Sequence, residues 1–362
     1  MRITTNQILR NYKSNLGTSL SNLDIARTRV MTGRKFNSTA ENPAGALRAS
    51  VLERKYVRNQ DYLDLVKDVQ SFQDSQEDAA MQINNIAKHL SKQYGIEALN
   101  GTNGSLATRE TYADAWRGSQ ESLLLSLNAS YEGKYVFAGS DGQTAPFKLS
   151  KDANGEQVLL YRNVDVNTGE LYGEDGKIIT TPGVNDDPDK TAERLKNLAN
   201  DSLYVDLGFG LNINEDFTID SSSAFNTSLP GIKMVGYGKF DANADGIKDP
   251  KNMLLLMGKI ADELEKEDFD YDRYEELLGK FDEGREDVLE VVTTLGTQTE
   301  FLTTTRDRLE TNEISLSTQI DNVVNIDMAE AIMNFSWAQY AYNASLKVGN
   351  QILTPSFIDF MR

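Results

Sequence analysis

Tyr62, Leu65, Val69, Phe72, Gln76, Ala79, Ile83, Ile86 and Leu90 recur at strictly alternating steps of three and four. That spacing is the seam of a coiled coil, and only Gln76 departs from apolar character. Asn42 has the chemistry of a helix N-cap, Pro43 suits the first helical position, and no proline follows until Pro146. One helix is therefore predicted from Pro43 to about Leu99, roughly 85 Å long at 1.5 Å per residue. A helix of that length cannot support itself and must lie along others. A second seam begins at Tyr274 and runs through Leu277, Phe281, Val288, Val291, Leu295, Leu302, Leu309, Leu316, Ile320 and Val323, with gaps at Gly284, Gln298 and Thr305. The two seams predict a mainly α chain whose ends come back together as a long antiparallel coiled-coil rod.

The termini carry apolar patterns of a different kind. Ile3 to Thr32 reads as a narrow amphipathic helix with Leu9, Tyr12, Leu16, Leu20, Leu23 and Val30 on one stripe. Near the other end, Ala331 to Ile358 contains a single charge, Lys347, and presents two stripes. Met333, Trp337, Tyr340, Ala344, Val348 and Ile352 form one; Ile332, Phe335, Tyr342, Leu346, Gly349 and Leu353 form the other. Asp327 to Glu330 resembles a capping box and Thr354-Pro355 closes the helix. Interspersed Asn, Gln and Ser make it too polar to span a membrane. A helix with two apolar faces needs protein on several sides, and other molecules are the expected cover; burial in the core of a monomer is the alternative. The expected assembly surface is Leu9, Leu16, Leu20, Leu23 and Val30 with Ile332, Phe335, Trp337, Tyr340, Leu346, Ile352 and Leu353.

Between the arms the pattern changes. Asn100 to Ser105 reads as a turn, and Leu106 to Tyr131 as a helix through Ala113, Trp116, Leu123 and Leu127 that returns as an antiparallel hairpin on its predecessor. Gly133 to Gly139 alternates like a strand. Five of the seven prolines fall between Pro146 and Pro250, among short runs such as Gln157–Tyr161, Lys177–Thr180 and Leu203–Leu207, with one helix at about Asp189–Asn200. The expected organisation is 1–40 and 322–362 as terminal helices, disordered in the monomer; 41–146 and 251–321 as the helical rod; and 147–250 as an inserted β-rich domain.

Charge and chemistry narrow the function. The net charge is −18, yet residues 1–60 carry +8, leaving −26 for the rest. The basic residues are interleaved with an apolar heptad, so the head matches an acidic neighbour better than nucleic acid. There is no cysteine and one histidine, His89, which excludes thiol chemistry, zinc fingers, the HExxH motif and any triad not using His89. No carboxylate pair is singled out by spacing, and an enzyme is not expected. The N-terminus lacks a signal-peptide core, so export, if it occurs, takes another route. Asp241, Asn243, Asp245 and Asp249 with Gly246 follow the first half of an EF-hand loop, but Asn252 stands where the bidentate Glu belongs. Calcium binding and a plain Asp/Asn/Gly connection are both readings of it; no other cofactor is expected.

The opening NQILRNYKSNLGTSLSNLDIARTRVMTGRKFNSTAENPAGA and the closing IDMAEAIMNFSWAQYAYNASLKVGNQILTPSFIDFMR resemble the two ends of the flagellin superfamily, the bacterial flagellins and hook-associated proteins. Gly133 to Ser140, followed by Pro146-Phe147, is more similar to the hook-associated branch at the hook-filament junction. The resemblance covers roughly 1–147 and 270–362. It implies a structural subunit, secreted through the flagellar channel, whose terminal helices line the inner tube while the insertion faces outward. Implied partners are flagellin, a neighbouring hook-associated protein 1, further copies in a tubular layer, and an export chaperone on the C-terminal helix; nucleic acid and membrane insertion are not. A flagellin, or a calcium-responsive secreted binding protein, is the alternative.

Overall fold

A computed structural model describes residues 5–99, 105–152, 155–173, 176–179, 184–185, 187–216, 218–220, 222–241, 246 and 248–353. The chain divides into two compact units, residues 1–63 with 308–362 and residues 64–307. It is mainly helical, with two two-stranded sheets and one three-stranded sheet among the described residues.

In the first unit α1 (Thr5–Thr32) packs on α9 (Met328–Leu353). They meet antiparallel, since Tyr12 lies against Gly349 and Ser19 hydroxyl against that of Ser345 at 3.4 Å. The connection from α1 to α2 (Pro43–His89) is clamped to the junction of α8 (Tyr271–Val324) with α9: Lys35 N–H donates to Val324 O at 2.8 Å and Ile326 N–H to Gly33 O at 2.9 Å. Gly33 has φ +68°, a conformation that favours glycine. Asn42 caps α2 as its sequence indicates, accepting from Gly45 N–H at 2.9 Å, and Asp327 caps α9, accepting from Ala329 N–H at 2.8 Å. Tyr56 and Gln60 on α2 both donate to Glu313 on α8, and the hydrogen bond to that carboxylate holds the Tyr56 phenol above its ordinary range.

In the second unit α2 and α8 run antiparallel, and buried amides set their register. Gln73 donates to Leu295 O at 3.1 Å and to Gln298 Oε1 at 3.2 Å. In the first unit Asn59 does the same to Leu309 O at 2.8 Å. A buried donor reaching a helix carbonyl has one good position, so a slip by a turn leaves it unsatisfied. The α8 seam is continuous: Gly284 and Thr305 are buried in phase with their apolar neighbours, and Gln298 is half-buried. On α2 the buried face is wider than the predicted seam, because Leu63, Val66, Gln73, Ala80 and Ala87 are buried whereas Tyr62, Leu65, Phe72 and Ile86 are only half-buried. More than one element covers this helix: Gln76 turns from α8 and donates to Val136 O at 2.8 Å.

The helical run past His89 does not stay α. Leu90–Gly95 is a π-helical turn, followed by a short α3 (Ile96–Ala98). It holds Gly95 where a Cβ would come within 2.7 Å of Leu278, and Gly95 O accepts from the Tyr274 hydroxyl at 3.2 Å. The turn expected at Asn100–Gly104 lies outside the described residues; Ser105 caps α4 (Leu106–Leu127). α4 returns antiparallel along its predecessor, with Tyr112 against Tyr94 at 6.1 Å and Tyr131 against Phe72 at 6.4 Å between ring centroids, and it takes α7 (Met253–Leu264) as a second helical partner. Met253 to Met257, Ile260, Ala261 and Leu264 are all buried, so α7 is the centre of the unit. Asn252 caps it, accepting from Leu254 N–H at 2.9 Å and donating to Gly236 O at 2.9 Å. Gly258 admits Gln120 and Gln157 against the helix, and Gln120 donates to Leu254 O at 2.7 Å.

The segment expected as a β-rich domain has little strand. β1 (Ser130–Tyr131) and β2 (Lys134–Tyr135) form a hairpin turned at Glu132-Gly133 with both φ positive. β3 (Phe147–Lys151), β4 (Gln157–Tyr161) and β5 (Val164–Asp165) form an antiparallel sheet, and β6 (Tyr204–Val205) pairs with β7 (Phe225–Asn226). Ile178 makes only an isolated bridge to Tyr172 where a strand was expected. Two further helices are α5 (Pro188–Ala199), capped by Asp187, and α6 (Gly231–Val235). Phe147, Leu159, Tyr161, Ile232 and Val235 belong to the same apolar core as Trp116, Leu123, Phe281 and α7. The insertion is therefore packed into the helical unit, because Pro-rich loops with short strands cannot bury a core of their own.

Candidate assembly surface

The antiparallel contact of α1 with α9 is a heptad seam. At heptad spacing on α1, Leu9, Tyr12, Leu16, Ser19, Leu23, Ala26 and Val30 are half-buried, and on α9 Phe335, Ala338, Tyr342 and Ser345 are, with Ala331 and Gly349 fully buried. At its tightest point the Tyr12 hydroxyl occupies the place where a Cβ on Gly349 would stand. Only glycine admits the phenol there.

This seam occupies one side of α9. Of the two predicted stripes, the second is split by it: Phe335, Tyr342 and Gly349 face inward within the chain, while Ile332 and Leu346 remain exposed. The first stripe stands clear: Trp337 and Tyr340 are each 71% exposed, with Met333 and Val348 beside them. Leu9, Leu16, Leu23, Val30 and Phe335 thus serve the intramolecular contact, whereas Leu20, Ile332, Trp337, Tyr340 and Leu346 are available to other molecules. The side chains of Ile352 and Leu353 lie outside the described residues. Ile8, Ile25 and Met31 on α1 add to the exposed apolar surface. They lie off the single stripe that the period selects, each next to a residue of that stripe or to Ala26.

A two-helix pair that leaves a tryptophan, a tyrosine and several aliphatic groups in water is far more apolar outside than a soluble helix needs. The charged groups of α9 are Glu330 and Lys347 alone, while α1 carries Arg10, Lys13, Arg27 and Arg29 against Asp24. No described helix is long and apolar enough to cross a membrane. The exposed stripe is apolar, with charge only at its margins.

The other singled-out residues are placed by the second unit. In the Gly133–Ser140 segment, Val136, Phe137 and Ala138 are buried, and Phe137 O accepts from Gly231 N–H at 2.9 Å and from the Tyr161 hydroxyl at 3.1 Å. Burial pushes the Tyr161 phenol upward. Gly139, at φ +75°, leaves room for the Asp201 carboxylate, which accepts from Ser140 N–H at 2.9 Å, Ser140 Oγ at 2.6 Å and Arg162 at 2.8 Å. Burial opposes ionisation of Asp201, but these donors outweigh it and hold the carboxyl below its usual range. Pro146-Phe147 is tied to the end of α4: Asn128 exchanges hydrogen bonds with both backbone groups of Phe147, at 2.9 and 3.0 Å. The sequence motif is thus a knot between α4, the sheet and α6.

Of the calcium-loop residues, Asn243 and Asp245 lie outside the described residues, and Asp241 is exposed. Asp249 is fully buried and accepts from Arg273 and, at 2.7 Å, from Lys280; Glu276 pairs with the same two cations. Burial pushes its carboxyl up, but the hydrogen bonds and charges of Arg273 and Lys280 prevail and hold it below the ordinary value. A carboxylate so neutralised joins α8 to the loop before α7. No cluster of potential metal ligands occurs among the described residues.

Residues 3–141 match the family described as the bacterial flagellin N-terminal helical region. A search of curated proteins gives no match. Among solved structures, one described as a flagellar hook-associated protein of Vibrio parahaemolyticus superposes with a TM-score of 0.53 at 15% identity, covering 79% of this chain and all of that one. The Bacillus cereus FlgL structure gives 0.47 at 11% identity over 75% of this chain and 99% of its own. A flagellar hook-associated protein 3 structure from Legionella pneumophila gives 0.46 at 14% identity over 76% and 98%. The fold is that of the Vibrio hook-associated structure.

Proposed function

We propose that this chain is a structural subunit of the bacterial flagellum, a hook-associated protein 3 that joins hook to filament, and that it has no enzymatic role. The observation that carries the reading is the unpartnered stripe of Met333, Trp337, Tyr340 and Val348 on a helix whose other side is already held by α1. Such a pair becomes dry only when neighbours close around it, as in a tubular wall. The flagellin N-terminal match over 3–141 and the hook-associated fold support the same assembly. On this reading the partners are further copies in one layer, flagellin on one side and hook-associated protein 1 on the other. Export runs through the flagellar secretion system to an extracellular position, with a chaperone covering α9 beforehand. In the isolated monomer α1 and α9 are loosely held, since one seam between two helices repays little of their ordering entropy.

A filament subunit would carry the same stripe, so the deciding experiment is electron microscopy of the purified chain under salting-out conditions with filament seeds. Termination after a single layer is the expected result; long self-extension would make it a flagellin. A calcium-responsive role finds no support in Asp249, whose oxygens already face Arg273 and Lys280.

A further inference from the structure

We propose that a groove between the β6–β7 segment and α8 binds a neutral saccharide, a function separate from assembly. Phe301 stacks on Phe225 at 5.8 Å with 3° between the rings, and on Phe209 at 5.8 Å with 25°. Phe225 is buried, but Phe301 is 43% and Phe209 46% exposed. Phe209 is presented on a tight loop organised by Asp206, which accepts from Gly208 and Phe209 N–H at 2.9 and 3.2 Å. These rings, with Tyr204, Asn226 and Gln298, line a groove of about 570 Å³.

The polar groups on its wall choose the ligand. Asn226 Oδ1 is occupied by Leu203 and Ser228 N–H, both at 3.1 Å, and Gln298 Oε1 by Gln73. Asn226 Nδ2, Gln298 Nε2 and the Tyr204 hydroxyl have no described protein partner, which leaves donors beside an aromatic platform. In a chain of net charge −18, the described lining holds no charged side chain. A pyranose ring fits this set: its C–H face lies on the phenyl rings while its hydroxyls and ring oxygen accept from the amides. An apolar protein segment would cover those donors without satisfying them, and an anionic sugar would find no cation.

The test is saturation-transfer NMR and calorimetry of the full chain with triacetylchitotriose and maltotriose, using sialyllactose as the anionic control. A neutral trisaccharide is expected to bind and sialyllactose not. Phe301→Ala should weaken binding about tenfold, the loss of one stacking contact. Asn226→Asp keeps the acceptor that holds Leu203 and Ser228 but removes the donor, and Tyr204→Phe removes only the hydroxyl; each should weaken binding severalfold, independently of how Phe301→Ala folds. No binding of either neutral probe at millimolar concentration, equal binding of sialyllactose, or indifference to all three substitutions would overturn the proposal. So would an apolar dye that occupies the groove where neither sugar does, which would mark a protein-docking surface.

Discussion

Replacing Trp337 by aspartate separates an assembly helix from a core helix. With 71% of its surface exposed, and a tryptophan presenting up to about 250 Å², roughly 175 Å² awaits a partner. At about 25 cal/mol per Å² its burial between subunits is worth about 4 kcal/mol, close to a thousandfold in the affinity of each contact. A carboxylate forced into that dry contact costs several kcal/mol more. Leu346, 42% exposed on a different side of α9, gives a second probe, and Phe335, half-buried against α1, gives the contrast. Trp337→Asp and Leu346→Asp should each abolish incorporation at the junction while the purified monomer melts as the parent does. Phe335→Asp should lower the melting of the terminal helical pair by several degrees. The assays are thermal melts of the purified variants and swimming motility, or junction incorporation, of strains carrying them. A destabilised monomer for Trp337→Asp, or normal incorporation of it, would refute the reasoning.

Gly349→Ala drives a methyl into the Tyr12 phenol; it should loosen α1 from α9 by about 1–3 kcal/mol, seen as faster amide exchange in α1, and Tyr12→Ala in the same chain should relieve it. Replacing residues 148–250 by a short linker tests whether they are a separate domain. Because Leu159, Tyr161, Ile232 and Val235 share the core with Trp116 and α7, near-ultraviolet dichroism and cooperative melting should now be lost while helical signal persists. Asp249→Asn leaves Arg273 and Lys280 with Glu276 alone and should cost about 3–5 kcal/mol in denaturant titrations at neutral pH. Its folded pKa is depressed, so the parent's contribution is complete above the ordinary carboxyl value and is lost as pH falls through the lower folded value. The difference between parent and Asp249→Asn should shrink only in strong acid; a constant difference would show that the carboxylate's ionisation is not what matters.

Period and punctuation alone determined where the helices are. The alternating threes and fours of α2 and α8, the Asn42-Pro43 start, the Asp327 cap and the Gln157–Tyr161 strand all stand as the sequence reads, because each depends on neighbours within a few residues. Even Gly284, Gln298 and Thr305, which look like interruptions, hold the phase of the seam. Partner choice was decided only in three dimensions. That α4 also takes α7 as a partner, that the MLLLMGKIADEL helix is the centre of a core, and that residues 147–250 share this core depend on contacts between separate stretches of the chain. The terminal helix shows both limits together. Its two stripes are visible in the sequence, but periodicity has no way of assigning a side to the chain's own α1 and another to a stranger. That assignment rests on Gly349 admitting Tyr12, a close approach of side chains 337 positions apart.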